Sequence, residues 1–196
     1  MGKQVQTLSD RSYKRDKKLW IFNAGTAYQG NPKWLMEYIL RYRKDISPVW
    51  MCHTRETEQY VKHLGRKAVL YHSSTGKKLM QKAGVYVVET CKEVMQPELS
   101  GIVILNLWHG VGCKAIERKV TGGSFLSERV AKKYIRYNDI YSNNQLFLVT
   151  SDKMKEHFME QCGLDEKHLV CDGYPRNIFD KNLDYSLSSG IEMTKK

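Results

Sequence analysis

Short apolar runs alternate along the chain with longer segments in which apolar residues recur at helical spacing. The apolar runs predict buried strands over residues 19–23, 49–52, 68–72, 85–90, 101–108, 146–150 and 168–172. Helical spacing predicts helices over residues 33–44, 56–65, 76–84, 127–141 and 152–163. Strands that are apolar on both faces and alternate with helices are typical of a parallel sheet covered on both sides. The pattern therefore predicts an α/β fold, a Rossmann-like doubly wound parallel sheet.

The first of these helices has the clearest start signal. Asn31 is the expected N-cap and Pro32 the expected first helical residue, because asparagine satisfies free N–H groups and proline has no N–H of its own. The apolar residues of this helix fall on one face, which we expect to be buried: Trp34, Leu35, Tyr38, Ile39 and Tyr42.

The order of the elements predicts one folded domain over residues 19–180, with a basic segment over 1–18 before it and a polar tail over 181–196 after it. No run reaches the length of a membrane span, about 20 apolar residues, and the N-terminus lacks the apolar core of a signal peptide. We therefore expect a cytoplasmic protein. The five cysteines are scattered and form no CxxC pair, so neither a disulfide framework nor a zinc site is predicted.

Charge narrows the class of partner. The formal net charge is +11, of which residues 1–18 carry +4 and residues 114–137 carry +5. In the helix predicted over 127–141, four cations form one stripe at helical spacing: Arg129, Lys132, Lys133 and Arg136. Such a field attracts an acidic membrane surface, a polyanionic polymer or nucleic acid. The stripe is predicted to contact an anionic partner, with a solvated helix face as the alternative.

The segment NLWHGVGCK, residues 106–114, places polar residues directly after the strongest predicted strand. In doubly wound sheets ligands bind beyond the carboxyl ends of the strands, so His109 is expected at that edge. The N–H groups of Gly110 and Gly112, together with the charge of Lys114, are suited to a phosphate. A histidine beside such a site is able to take a proton from an attacking hydroxyl, and the alternative is a structural cap on the strand.

The other histidines have weaker cases. His53 and His72 also follow predicted strands, but no glycine and lysine constellation accompanies them. A structural role is favoured for His63, His157 and His168. The sequence predicts neither a metal site nor a cofactor.

Four segments in a fixed order carry a resemblance to a known family. They read NPKWLMEY at residues 31–38, HGVGCK at 109–114, TSDKMK at 150–155 and GYPRNI at 173–178. They resemble motifs of the CDP-glycerol glycerophosphotransferase family, the bacterial teichoic acid primases and polymerases, and the resemblance covers about residues 19–180. It implies one half of a GT-B architecture, in which two Rossmann-like domains face each other across the active site.

The resemblance implies roles for individual residues. His109 would act as general base on an acceptor hydroxyl, which attacks the β-phosphorus of CDP-glycerol and expels CMP. The other matched positions are expected to bind substrate: Gly110, Gly112, Lys114, Ser151, Arg176 and Asn177. The sequence departs from the family pattern at Val111 and Gly112, which replace Thr-Pro, and at Ile178, which replaces an acidic residue.

The resemblance also implies partners. The donor is expected to be CDP-glycerol, and the acceptor a lipid-linked or polyol-phosphate hydroxyl at the inner face of the cell membrane. Most of the donor site and a second essential histidine belong, in the family, to a second domain, so a C-terminal domain or a partner chain is expected to complete the site. Two other classes stay open: a non-catalytic basic module for an anionic membrane or nucleic acid, and a GT-B transferase with another nucleotide-activated sugar. No nucleic-acid-binding motif is found in the sequence, so nucleic acid is not the expected partner.

Overall fold

The computed structural model of the chain describes residues 13–90, 96–112, 115–119 and 145–177. These residues contain seven strands: β1 (Asp16–Phe22), β2 (Ser47–Cys52), β3 (Ala68–Leu70), β4 (Ala83–Val88), β5 (Val103–Asn106), β6 (Gln145–Val149) and β7 (Leu169–Cys171). They also contain four α-helices: α1 (Gly30–Tyr42), α2 (Arg55–His63), α3 (Ser74–Lys82) and α4 (Asp152–Cys162). The strand order is β3-β2-β1-β4-β5-β6-β7, and the described pairings are parallel. The predicted Rossmann-like doubly wound parallel sheet is confirmed.

Side chains of the strands alternate between two hydrophobic layers, one on each face of the sheet. In β2, Val49 and Met51 belong to one layer, and Trp50 and Cys52 belong to the other. The first layer includes Met80 of α3 and Phe158 of α4, while the second includes Met36 of α1 and Val61 of α2. Because helices cover both faces, a ligand meets the sheet at the strand ends.

The observed elements differ from the predicted ones mainly at their boundaries. β5 ends at Asn106 and β3 ends at Leu70, so both strands are shorter than the apolar runs suggest. The helix predicted over 127–141 and the tail predicted over 181–196 lie outside the described residues, and the division into segments stays a prediction. None of the helices in the described part of the chain is long and apolar enough to cross a membrane.

The start of α1 corrects the prediction for Asn31. The helix begins at Gly30, and Gln29 takes the N-cap position without a side-chain cap hydrogen bond. Asn31 is therefore inside the helix, where its side chain is fully buried and bonds to other segments of the chain. A tertiary partner has replaced the local capping role that the sequence suggests.

The buried face of α1 also differs from the predicted one. Tyr38 and Tyr42 are 46% and 48% exposed, so their predicted burial is wrong. The helix instead buries Glu37, whose carboxylate forms a salt bridge with Arg66 at 2.8 Å and accepts a hydrogen bond from the Tyr28 hydroxyl at 2.5 Å. A charged residue is buried here because it has these partners, which an apolar pattern does not reveal.

Candidate functional site

The candidate site lies at the carboxyl edge of the sheet. β5 ends three residues before His109, so the strand predicted over 101–108 is too long. The backbone leaves the sheet at Leu107, whose N–H donates to the carbonyl of Val88 at 2.8 Å. His109 is exposed, and the structure places it at the open edge where the sequence predicts it.

Trp108 has an unusual backbone conformation directly before His109. Its φ is 49°, in the left-handed region, a conformation that costs a non-glycine residue about 1–3 kcal/mol. The Trp108 indole is buried, with its centroid 5.5 Å from that of Phe147 and 5.3 Å from that of Phe158. The His109 imidazole stacks on this indole, with centroids 4.3 Å apart and ring planes at 23°. The strained residue thus supplies the surface against which the imidazole lies.

Three buried side chains hold the backbone around His109. The Trp108 N–H donates to Asn106 Oδ1 at 3.0 Å, and the Trp108 carbonyl accepts from Asn31 Nδ2 at 2.8 Å. The Tyr174 hydroxyl donates to the Gly110 carbonyl at 2.8 Å. Asn31, Asn106 and Tyr174 are all buried, so these bonds form with little competition from water. The loop that carries His109 is fixed on both sides of the imidazole.

Asn31 connects segments that are far apart in the sequence. Besides its bond to Trp108, its Oδ1 accepts a hydrogen bond from the N–H of Arg176 at 3.3 Å. The NPKWLMEY segment therefore contacts the residue directly before the HGVGCK segment and also contacts the GYPRNI segment. This role was not predicted from the sequence. The one indication there was the position of a polar residue next to the proline at the start of the helix.

The two glycines of the loop differ in the space that a side chain would have. A Cβ at Gly110 would meet no atom within 4 Å, whereas a Cβ at Gly112 would lie 2.7 Å from His157 Nε2 and 3.3 Å from Phe158 Cζ. Neither glycine is among the described residues with positive φ, so the sharp turn expected from the sequence does not account for them. Gly112 permits a close approach of the loop to α4. The phosphate-binding role of the two N–H groups stays a prediction.

The GYPRN segment places Arg176 and Asn177 on a short 3-10 turn, Pro175–Asn177. Both side chains are exposed, and the Arg176 guanidinium lies 5.2 Å from the centroid of the Tyr174 ring. Burial raises the pKa of Tyr174, although the charge of Arg176 acts in the opposite direction. The tyrosine therefore stays a neutral hydrogen-bond donor, and an exposed cation lies at the same edge as His109.

Ser151 has a structural contact of its own. It is the N-cap of α4, and its hydroxyl accepts a hydrogen bond from the N–H of Met154 at 3.4 Å. Its predicted contact with substrate stays a prediction. The other predicted cations lie outside the described residues: Lys114, Arg129, Lys132, Lys133 and Arg136.

Glu89 is a polar residue at this edge that sequence reasoning missed. It follows β4, the neighbour of β5, and a Cβ at Gly30 would lie 1.9 Å from its Oε2. A carboxylate thus lies at the start of α1, where the helix dipole favours negative charge. The signal in the sequence was an acidic residue directly after a buried strand.

His157 of α4 lies against Gly112 of this loop, whereas His53, His72 and His168 lie away from the loop or serve local structure. The His53 and His72 rings both pack on Tyr71, at 4.8 Å and 5.0 Å, at the ends of β2 and β3. Strands β1 and β4 separate this cluster from β5. His168 is buried, and its Nδ1 accepts from the N–H of Asp165 at 3.3 Å. Among the described residues, no three His, Cys, Asp or Glu side chains converge as metal ligands.

Comparison with known proteins agrees with the motif resemblance. The model of the family CDP-glycerol:poly(glycerophosphate) glycerophosphotransferase matches residues 4–191. The solved structure of the wall teichoic acid polymerase TagF is similar to the chain, with a TM-score of 0.69 at 17% identity, over 95% of this chain and 47% of the polymerase. A histidine-to-asparagine variant of TagF, soaked with CDPG for 15 minutes, gives a TM-score of 0.69 at 15% identity, over 91% and 44% of the two chains. No curated protein matches the sequence.

The structural likeness concerns the fold, because the sequence identities are low. The chain spans less than half the length of the polymerase chains that it matches.

Proposed function

Since the chain belongs to the CDP-glycerol:poly(glycerophosphate) glycerophosphotransferase family, we propose that it supplies the acceptor-side half of a glycerophosphate transfer site. The observation that carries this proposal is the position of His109, an exposed imidazole on a loop that buried side chains hold from both sides. A general base must reach the acceptor hydroxyl and keep a fixed orientation toward it. His109 combines this access with a fixed backbone.

In the proposed reaction, His109 accepts the proton of the acceptor hydroxyl while that oxygen attacks the β-phosphorus of CDP-glycerol. A P–O bond forms to the acceptor, the bond between the β-phosphorus and the bridging oxygen breaks, and CMP leaves with that oxygen. Transfer of this kind depends on positioning and on neutralisation of phosphate charge. The groups proposed to bind the phosphate or the acceptor are those of Gly110, Gly112, Lys114, Ser151, Arg176 and Asn177.

The family supports the proposals for the donor and for a further part of the site. CDP-glycerol is proposed as donor because the family is named after this compound and because TagF was soaked with CDPG. The chain covers 47% of the TagF chain. We therefore propose that a further domain or a partner chain contributes most of the donor site.

The test of the reaction is release of CMP from CDP-glycerol, measured with a polyol-phosphate acceptor, with and without the C-terminal half of a family member. His109→Gln should lower the rate by about 10²- to 10⁴-fold, the usual contribution of a general base. His72→Gln is the matched control, because His72 is an exposed imidazole next to β3 that lies away from the loop. Equal rates for His109→Gln and the parent would remove His109 from the mechanism. Turnover of a UDP-sugar but not of CDP-glycerol would favour another transferase class.

A lipid-linked acceptor would bring the protein to an anionic membrane surface. We propose that the cationic stripe, Arg129, Lys132, Lys133 and Arg136, makes this contact, at about 1 kcal/mol for each charge near an acidic leaflet. Replacing the four residues by glutamine should abolish sedimentation with phosphatidylglycerol vesicles. Four exposed lysines elsewhere provide a control with the same change of charge: Lys67, Lys77, Lys78 and Lys82. Equal loss in both variants would indicate nonspecific attraction, and competition by oligonucleotides would indicate nucleic acid.

A further inference from the structure

The left-handed conformation of Trp108 needs neighbours that impose it. From the contacts around this residue we infer that Asn31 is a positioning residue, which holds His109 in place through Trp108. The inference rests on the proposed function, because it concerns the histidine on which that function depends. Asn31 touches Trp108 and Arg176 and acts on the imidazole through the backbone.

The backbone of Trp108 is strained. A bulky residue keeps a positive φ only where the surrounding structure over-determines it. Here the Trp108 indole packs among buried aromatic rings. The backbone N–H of Trp108 donates to Asn106, and the backbone carbonyl of Trp108 accepts from Asn31. The bond from Asn31 is the one that fixes the peptide group leading into His109.

The neighbours of the Asn31 amide require one orientation of that amide. Its Nδ2 faces two carbonyls that need a donor, that of Trp108 at 2.8 Å and that of Leu107 at 3.4 Å. Its Oδ1 faces the N–H of Arg176, which needs an acceptor. A flipped amide would place like groups against each other on both sides. Aspartate at this position keeps the acceptor toward Arg176 and loses the donor toward Trp108. Asn31→Asp therefore tests the donor end of the side chain by itself.

The position of the His109 imidazole depends on the backbone of Trp108. The dihedral angles of Trp108 set the direction in which the chain enters His109. If φ of Trp108 relaxes to an ordinary negative value, His109 turns away from the indole on which it now stacks at 4.3 Å. The stacking of His109 on Trp108 is therefore a direct report on the bond from Asn31.

The experiment measures this stacking by NMR on the whole chain labelled with ¹³C-histidine, with His109 signals assigned by loss in His109→Gln. In the parent, the indole ring current should shift the His109 ring protons upfield. Asn31→Asp and Asn31→Ala should move these signals toward those of an unstacked imidazole, and should raise the rate at which diethylpyrocarbonate modifies His109 several-fold. Asn31→Asp should lower kcat for CMP release and leave KM unchanged.

Asn23→Ala is the matched control. Asn23 is also a fully buried asparagine at the carboxyl edge, where its Nδ2 donates to Met51 and its Oδ1 accepts from Gly25. Its loss should leave the His109 signals in place.

Three results would overturn the inference. They are an absent upfield shift in the parent, unchanged signals in a folded Asn31 variant, and an equal movement in Asn23→Ala. If both Asn31 variants fail to fold, the parent spectrum still tests the stacking on which the inference depends, because an absent upfield shift overturns it. If the signals move as expected but the completed enzyme releases no CMP from CDP-glycerol, the positioning role stands and the proposed function fails.

Discussion

The hydroxyl of Tyr174 donates a hydrogen bond to the backbone carbonyl of Gly110 at 2.8 Å, which ties the segment after β7 to the residue that follows His109. Removal of the hydroxyl leaves this carbonyl without its donor. Tyr174→Phe should therefore lower the unfolding free energy by about 0.5–1.5 kcal/mol, the net value of one hydrogen bond. It should also lower kcat, because the loop loses one of its fixed points. Urea unfolding and CMP release measure the two effects.

Tyr60→Phe is the control for this prediction, because Tyr60 is exposed on α2. It should change neither quantity. If Tyr174→Phe and Tyr60→Phe behave alike, the bond to Gly110 does not hold the loop.

Gly112 provides a second test of the loop. Alanine at this position has no conformational penalty from a positive φ, but its Cβ would lie 2.7 Å from His157 Nε2. Overpacking of this kind costs about 1–3 kcal/mol, so Gly112→Ala should be destabilised by this amount. The cost should fall when His157→Ala removes the ring, which a double-mutant cycle in urea measures.

Gly110→Ala is the matched change in the same loop, since a Cβ there meets no atom within 4 Å. It should be nearly neutral for stability. An equal cost for the two alanine variants, or an additive cycle with His157→Ala, would contradict the close contact with α4.

Arg15 connects several segments at the amino edge of the sheet, opposite the edge that carries His109. Its guanidinium donates to four backbone carbonyls, those of Met80, Ala83, Glu98 and Ser100. Arg15→Ala removes every one of these charged donors, and the unfolding free energy should fall by about 1.5–3 kcal/mol or more. Arg15→Lys should lie between the parent and alanine, because one ammonium reaches fewer of the four carbonyls. Lys14→Ala, at an exposed neighbour, should have little effect in the same thermal or urea measurement.

The sequence was sufficient to predict the architecture. The alternation of apolar runs with helical segments reflects which residues are buried, and this pattern can be read from short segments of the sequence. The parallel sheet and the position of His109 at its edge could therefore be predicted. The four motifs were sufficient for the family. Both features can be predicted without knowing which side chains contact each other between distant segments.

The parts that could not be predicted depend on long-range partners. Asn31 looked like a helix cap because the carbonyl it binds belongs to Trp108, which is remote in the sequence. The burial of Glu37 was not predicted, because its partner, Arg66, lies beyond β2 and α2 in the sequence. The left-handed φ of Trp108 has no local signal, since the strain is imposed by contacts from other segments.

Alkaline pH should destabilise the protein through Cys52, a buried thiol at the end of β2. Burial, assisted by the negative charge of Glu58, raises its pKa from 9.0 to about 12. Between these values the unfolded chain loses the proton while the folded protein keeps it, so the unfolding free energy falls as the pH rises. From pH 7 to pH 10 the loss due to this thiol is about 1 kcal/mol.

Cys52→Ala should be less stable than the parent at pH 7, because it leaves a small gap in the core. Its unfolding free energy should nevertheless fall less between pH 7 and pH 10, by the same amount of about 1 kcal/mol. Urea unfolding in reducing buffer at a series of pH values gives both curves. Cys171→Ala removes an exposed thiol, which meets water in both states, and its curve should follow that of the parent. Parallel curves for Cys52→Ala and the parent would mean that the thiol ionises as readily inside the fold as outside it.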